Sequence, residues 1–227
     1  MNSPEGARVA IVDYGLGNLY SVQRACEHVG LSAAITAQRA EIERADGVIL
    51  PGVGAFGDAM ATLKRLDLVG VLQDAAAADR PLLGICLGVQ LLMSESQEFG
   101  LHRGLDIIKG SVVQFSGLRE GQRRLKVPHV GWNRIAPPSD REQSWQGTPL
   151  EGLAHGEFMY FVHSYCVQPA DAGVVLSVTR YGQTEFCSSI GSGNIFACQF
   201  HPERSGAEGL KIYTNWARSL RPKSERK

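Results

Sequence analysis

The 227-residue sequence predicts an α/β fold built on a mostly parallel sheet, and two observations carry that expectation. Short apolar, β-branched runs end repeatedly at glycine turns, and amphipathic helical stretches follow those turns. Val9-Ala10-Ile11-Val12 reads as a buried strand leaving into the turn at Asp13-Tyr14-Gly15. Leu19, Val22, Cys26 and Val29 fall at three- and four-residue steps, so the spacing predicts an amphipathic helix over 18–29 that Gly30 ends. Val48-Ile49-Leu50 is the next strand, followed by a turn at Pro51-Gly52-Val53-Gly54. A helix is expected over 59–72, with Gly70 weakening its end.

Leu82-Leu83-Gly84-Ile85 is a further strand, and a helix begins over 89–94. Strand signal then dominates 107–113 and 158–178, and a polar, proline-containing surface loop is expected over 137–149. Residues 174–178 and 195–200 read as late strands, 210–220 as a closing helix, and 221–227 as a short, basic, solvated tail. No repeat and no linker interrupts this pattern. It predicts one domain over 8–220, with short tails at 1–7 and 221–227.

Composition narrows the function. Basic and acidic residues balance at 23 each, so binding of nucleic acid or anionic lipid through charge alone is not expected. No run approaches the roughly 20 apolar residues of a membrane-spanning helix. The start, Met1 to Gly6, lacks the basic and apolar segments of a signal peptide. Five cysteines, Cys26, Cys86, Cys166, Cys187 and Cys198, cannot all pair and form no Cys-x-x-Cys, which argues against a disulfide scaffold or a zinc finger. The expectation is a cytoplasmic chain with reduced thiols, no metal and no cofactor. Its glycines form neither a P-loop nor a dinucleotide fingerprint.

Three segments carry chemistry. Gly84-Ile85-Cys86-Leu87-Gly88 places a thiol between glycines where a strand turns into a helix, a strained and exposed setting for a nucleophile. The helix N-terminus favours thiolate there. A buried core cysteine is the plainer alternative. Gln199-Phe200-His201-Pro202-Glu203 puts His201 and Glu203 on one face of an extended segment, where a carboxylate can fix the tautomer of a base. Pro51-Gly52-Val53-Gly54 offers a backbone N–H, at Val53, to a developing oxyanion, and Leu87 N–H would be the second donor. His129 and His163 lie in strand-like segments, with a structural role and a positioning or interface role both open. His28, His102 and His155 read as surface residues.

Together these segments resemble the class I, triad-type glutamine amidotransferases, and the resemblance covers residues 8–220. Residues 50–60 (LPGVGAFGDAM), 126–133 (KVPHVGWN) and 160–165 (YFVHSY) narrow it to the glutaminase subunits of imidazole glycerol phosphate synthases. The resemblance implies a flavodoxin-like, three-layer sandwich and hydrolysis of glutamine to glutamate and ammonia. The ammonia would pass to a (β/α)8-barrel cyclase subunit that performs the lyase step of histidine biosynthesis, within a heterodimer. It implies Cys86 as nucleophile, His201 as base and acid, and Glu203 as its orienter. Gly52, Gln90, Glu98, Ser164 and Tyr165 would hold glutamine, and Asn18, Trp132, Asn133, Tyr160 and Arg204 would face the partner. Arg204 stands where many relatives carry lysine, and Cys166 where an aromatic residue is common. A paralogous glutaminase serving another barrel synthase, in surface-sugar amidination, and a catalytically silent regulatory subunit are the alternative readings.

Overall fold

The structure, a computed structural model, describes residues 6–115, 119–120, 123–139 and 145–220. Its central sheet is parallel over five strands. In spatial order they are Ile195–Cys198, β4 (Leu82–Cys86), β3 (Gly47–Gly52), β1 (Arg8–Val12) and β2 (Ser32–Thr36). Two antiparallel strands, Thr184–Ser192 and Val175–Tyr181, extend the edge beyond Ile195–Cys198. Along β1, Val9 and Ile11 enter one apolar core while Ala10 and Val12 enter the other. Burial on both faces explains why these strands read as continuous apolar runs rather than alternating ones.

Helices supply the outer layers. α1 (Leu19–His28) and α6 (Gly206–Ala217) bury Val22, Cys26, Ile212, Tyr213 and Trp216 on one face. α2 (Arg39–Arg44), α3 (Phe56–Arg65), α4 (Val69–Ala77) and α5 (Leu87–Leu91) bury Ile42, Phe56, Leu63, Leu72 and Val89 on the other. This is the three-layer arrangement that the alternation of strands and helices implies.

Several expectations need correction. The helix over 59–72 is two helices, because Asp67 adopts φ +55 and turns the chain so that Leu68 N–H bonds Leu63 O at 2.9 Å. Aspartate tolerates that left-handed position better than most residues, and both leucines thereby reach the core. Gly70 lies in the first turn of α4 rather than at a helix end. The helix expected over 89–94 is the five-residue α5, which begins directly after Cys86. α6 begins at Gly206, four residues before the expected start at 210. The loop expected over 137–149 is only partly surface: Trp145 is buried and its Nε1–H donates to Leu176 O at 2.8 Å. Residues 140–144 of that loop, and the tail 221–227, lie outside the described residues.

A second layer of strands closes over the C-terminal ends of the parallel sheet. His129–Ile135 and Glu157–His163 form an antiparallel hairpin in which His129 faces His163 and Trp132 faces Tyr160. Tyr165–Pro169 continues from it and pairs with Gly110–Gln114. Gly52 and Cys86 are register partners at the ends of β3 and β4, so the glycine turn, the thiol and the segment after Ile195–Cys198 converge. Active sites of open parallel sheets occupy this position.

Candidate active site

Cys86 ends β4 and precedes α5 with φ +54 and ψ −107, a conformation L-residues rarely adopt. Its flanking glycines answer to close neighbours. A Cβ on Gly88 would collide with the Leu50 carbonyl oxygen, and one on Gly84 would come within 2.9 Å of Ala197 Cβ. The strained elbow is therefore clamped between β3 and Ile195–Cys198. With only five residues in α5, the helix dipole contributes less at the sulfur than a longer helix would.

His201 and Glu203 meet by a different route from the one the extended pattern implies. Pro202–Arg204 is a single 3-10 turn, and it folds the carboxylate back so that His201 Nδ1–H donates to Glu203 Oε1 at 2.7 Å. His201 N–H donates to Tyr160 O at 2.9 Å, while Ser205 Oγ–H donates to His201 O at 2.7 Å and accepts from Tyr160 N–H at 3.0 Å. The imidazole is thus tied to the strand Glu157–His163. Its Nε2 lies near Cys86, buried and short of a hydrogen bond. Burial alone would lower the His201 pKa, but the Cys86 sulfur and the Glu203 carboxylate outweigh it and hold the imidazole well above its usual range.

Cys86 Sγ–H lies 3.7 Å from Val162 O as a donor, and Gln199 Nε2–H donates to Sγ at 3.7 Å. Gln199 is fully buried, and its Oε1 accepts from Gln90 Nε2–H at 3.0 Å. Gln199 stands two residues before His201, and no spacing along the chain marks it as a partner of the thiol. Tyr14, in the turn after β1, donates its hydroxyl to Pro51 O at 2.7 Å and fills the space that a Cβ on Gly52 would need. The other four cysteines are buried, which pushes Cys26 up to about 12, Cys166 up to about 11, and Cys187 and Cys198 well above the usual thiol range. Cys166 packs in the core.

A cavity of about 240 Å³ opens beside Cys86, room for roughly eight waters at about 30 Å³ each and so on the scale of one amino acid. Val53, Leu87, Gln90, Glu98, Ser164 and Tyr165 line it, together with Gly54, Pro128, Val162 and His163. Gly52 lies behind it, against Tyr14. Gln90 Nε2–H also donates to Tyr165 O at 3.1 Å, and Glu98 Oε2 accepts the Phe56 N–H at 2.6 Å, the first amide of α3. A larger cavity, about 670 Å³, is bordered by Cys166, Cys187 and Phe186 but by no histidine. Its thiols are the ones burial keeps protonated, and its carboxylate, Glu185, is paired with Arg180 at 3.6 Å.

Three of the five residues expected at a partner face form one surface. Arg204 lies over the Tyr160 ring at 4.6 Å, Tyr160 meets Trp132 edge-on at 6.0 Å, and Trp132 is 55% exposed. Asn133, next along the strand, points to the opposite face, where its amide meets His129 Nε2 and Arg180 O. Asn18 instead caps α1, its Oδ1 accepting Ser21 N–H at 3.4 Å, and makes none of these ring contacts. His28 and His155 are exposed, whereas His129 and His163 are buried against each other.

The sequence pattern of the family "Glutamine amidotransferase class-I" matches residues 10–219. The imidazole glycerol phosphate synthase subunit HisH of Syntrophotalea carbinolica is 48% identical over 210 residues, covering 92% of this chain and 98% of that protein. The protein of the same name from Aquifex aeolicus is 46% identical over 212 residues, covering 93% and 96%. Among solved structures, PurLQS of Thermotoga maritima superposes with a TM-score of 0.70 at 20% identity, covering 94% of this chain and 99% of that one, which is a likeness of fold.

Proposed function

The chain belongs to the class I glutamine amidotransferase family, and from that premise we propose that it is the glutaminase subunit of an imidazole glycerol phosphate synthase in histidine biosynthesis. The observation that carries the chemistry is the buried His201–Glu203 pair set against a thiol on a strained strand-to-helix elbow. Cys86 loses its proton to His201 and attacks the side-chain amide carbon of glutamine. The oxyanion rests on the N–H groups of Val53 and Leu87. His201 returns the proton to the departing ammonia, leaving a glutamyl thioester. It then draws a proton from water, which attacks the thioester and releases glutamate with Cys86 restored. Glu203 holds the imidazole in the tautomer this sequence requires. Gln90, Glu98 and the backbone of Ser164 and Tyr165 hold the substrate, with Gly52 behind the oxyanion peptide.

Relatives of this chain are named as subunits, so a partner subunit belongs to the reading. We assign that partner as a (β/α)8-barrel cyclase that performs the lyase step, met through Trp132, Asn133, Tyr160 and Arg204 in a heterodimer. The exposed aromatic and arginine side chains support this face, being residue types enriched at interfaces. Among the described residues no helix is long and apolar enough to cross a membrane, and we place the complex in the cytoplasm. The test is a coupled assay with a cyclase subunit and its acceptor, comparing glutamine with ammonium salt as nitrogen source. Cys86→Ala should abolish the glutamine-dependent rate and leave the ammonium-dependent rate intact. Loss of both would refute the nucleophile assignment.

A further inference from the structure

His129 and His163 face each other across the hairpin and are 3% and 6% exposed. His129 Nδ1 is 3.1 Å from His163 Nε2, His163 Nδ1 is 2.9 Å from Tyr165 O, and His129 Nε2 is 3.2 Å from Asn133 Nδ2. Both ends of this row dictate where its protons sit. The Tyr165 carbonyl can only accept, so His163 carries its proton on Nδ1. Its Nε2 is then a lone pair, which accepts from His129 Nδ1–H and leaves His129 Nε2 as an acceptor.

The other end demands the same order. Asn133 Nδ2 also donates to Arg180 O at 3.0 Å, while Asn133 Oδ1 accepts Arg134 N–H at 2.8 Å. The amide nitrogen, not the oxygen, therefore points toward His129. Charging His129 would set an N–H against the Asn133 amide, and charging His163 would set one against His129 Nδ1–H. Burial independently pushes the two imidazoles down to about 4 and about 3. The row is neutral and runs one way.

Tyr165 O, at its end, is shared with Gln90 Nε2–H, and both residues line the cavity beside Cys86. We propose that His129 and His163 are positioning residues, a one-way hydrogen-bond chain that ties the Asn133 amide on the outer hairpin strand to the Tyr165 carbonyl of the glutamine pocket. This role rests on the glutaminase reading and deepens it: the chain sets the pocket edge that receives glutamine, while the reacting atoms remain with Cys86 and His201. Each bond polarises the next, so a partner contact that moves Asn133 changes what Gln90 and the Ser164–Tyr165 backbone present to the substrate.

The test has two readouts on the complex with cyclase. Nitrogen NMR of the complex labelled at histidine should show both rings neutral, protonated on Nδ1, with a scalar coupling across the nitrogen–nitrogen bond at pH 7. A ring protonated on Nε2, or a charged ring, overturns the chain without any variant being made. His129→Phe keeps an aromatic ring where His129 stacks on Phe161 and Tyr181 and removes both nitrogens. The KM for glutamine should rise roughly tenfold, as expected for losing one buried hydrogen bond, with kcat changing less than about twofold. Asn133→Ala should raise the same parameter less, and the double variant should match His129→Phe alone. An unchanged KM in His129→Phe, or effects that multiply in the double variant, overturns the role. A wild-type complex that hydrolyses no glutamine overturns the glutaminase reading and this role together, and the tautomer measurement then still decides whether the chain exists.

Discussion

The imidazole of His201 and the carboxylate of Glu203 meet at 2.7 Å with their side chains only 6% and 1% exposed. A pair so far from water couples chemistry to stability. Replacing His201 by Ala leaves a buried carboxylate without its partner, and the second oxygen, Oε2, already makes no hydrogen bond. The expected outcome is a fall in glutamine turnover of about 10²–10⁴-fold, together with a stability loss of about 3–5 kcal/mol. Glu203→Gln removes the charge but keeps an acceptor for Nδ1–H, so both losses should be smaller. Glutaminase rates and urea unfolding of the two variants check this; equal, near-wild-type rates would refute the triad.

Gln199 connects the thiol to the lining of the cavity beside it, donating to Cys86 Sγ and accepting from Gln90. Gln199→Leu retains much of the volume and removes both bonds. Hydrogen bonds to charged groups contribute about 1.5–3 kcal/mol, so kcat/KM for glutamine should fall roughly 10–100-fold. The rate of Cys86 alkylation by iodoacetamide at neutral pH should fall as well, because the sulfur loses the donor that Gln199 supplies. Unaltered alkylation with reduced turnover would place the effect on Gln90 alone.

His129 and His163 give the fold an acid limit. Imidazoles that titrate near 6.5 when unfolded are pushed to about 4 and about 3 by burial in the folded chain. The groups around them are the rings of Phe115, Phe161, Tyr181 and Phe186, and the nearby charge is that of His201. Between these values the unfolded chain binds protons that the folded chain does not. Stability from the pair is therefore complete above about 6.5 and is lost as pH falls toward about 4, by up to ~1.4 kcal/mol per pH unit for each ring. His201, shifted upward, acts in the opposite sense, and its contribution is lost as pH rises past 6.5 through its folded value. Urea unfolding between about pH 4.5 and 6.5 should give a shallower slope for His129→Phe than for wild type. Equal slopes would mean that His129 is not held neutral.

What was legible in the sequence follows from how local each signal is. β1, β3 and β4 are buried on both faces, and their apolar runs announce them; β2, with its sequence Ser-Ala-Ala-Ile-Thr at an edge, has too little apolar contrast to stand out. The break between α3 and α4 rests on the left-handed Asp67, which the helical spacing on either side masks. The thiol elbow and the His-x-Glu pair each sit within a few residues, so they stand out along the chain as local patterns. The His129–His163 contact spans 34 residues and exists only through hairpin register, which no spacing along the chain reveals. Tyr14 was hidden in the same way, since its hydroxyl meets Pro51 only after β1 and β3 pair.

The turn after β3 is held at both ends and free between them. Pro51 O is fixed by the Tyr14 hydroxyl, and the first amide of α3, Phe56 N–H, is fixed by Glu98. Between these anchors Val53 is 42% exposed and Gly54 adopts φ +102, a region L side chains rarely enter. A peptide flanked by glycines can rotate with little steric penalty, turning the Val53 N–H toward or away from the oxyanion position. Withdrawing one such donor lowers turnover by about 10²–10³-fold. The isolated chain is expected to hydrolyse glutamine at that depressed level, the complex slightly faster, and the complex with acceptor or an analogue at the full rate. Gly54→Ala penalises, by about 1–3 kcal/mol, the backbone that Gly54 adopts in the chain alone, which should raise the unstimulated rate and narrow its gap to the acceptor-stimulated one. Synthesis from ammonium salt should be unchanged, because the reaction of ammonia with the acceptor belongs to the partner. Glutaminase assays of the chain alone, of the complex, and of the complex with acceptor decide the matter. An isolated chain already working at the rate of the stimulated complex would mean that the Val53 peptide is not a switch.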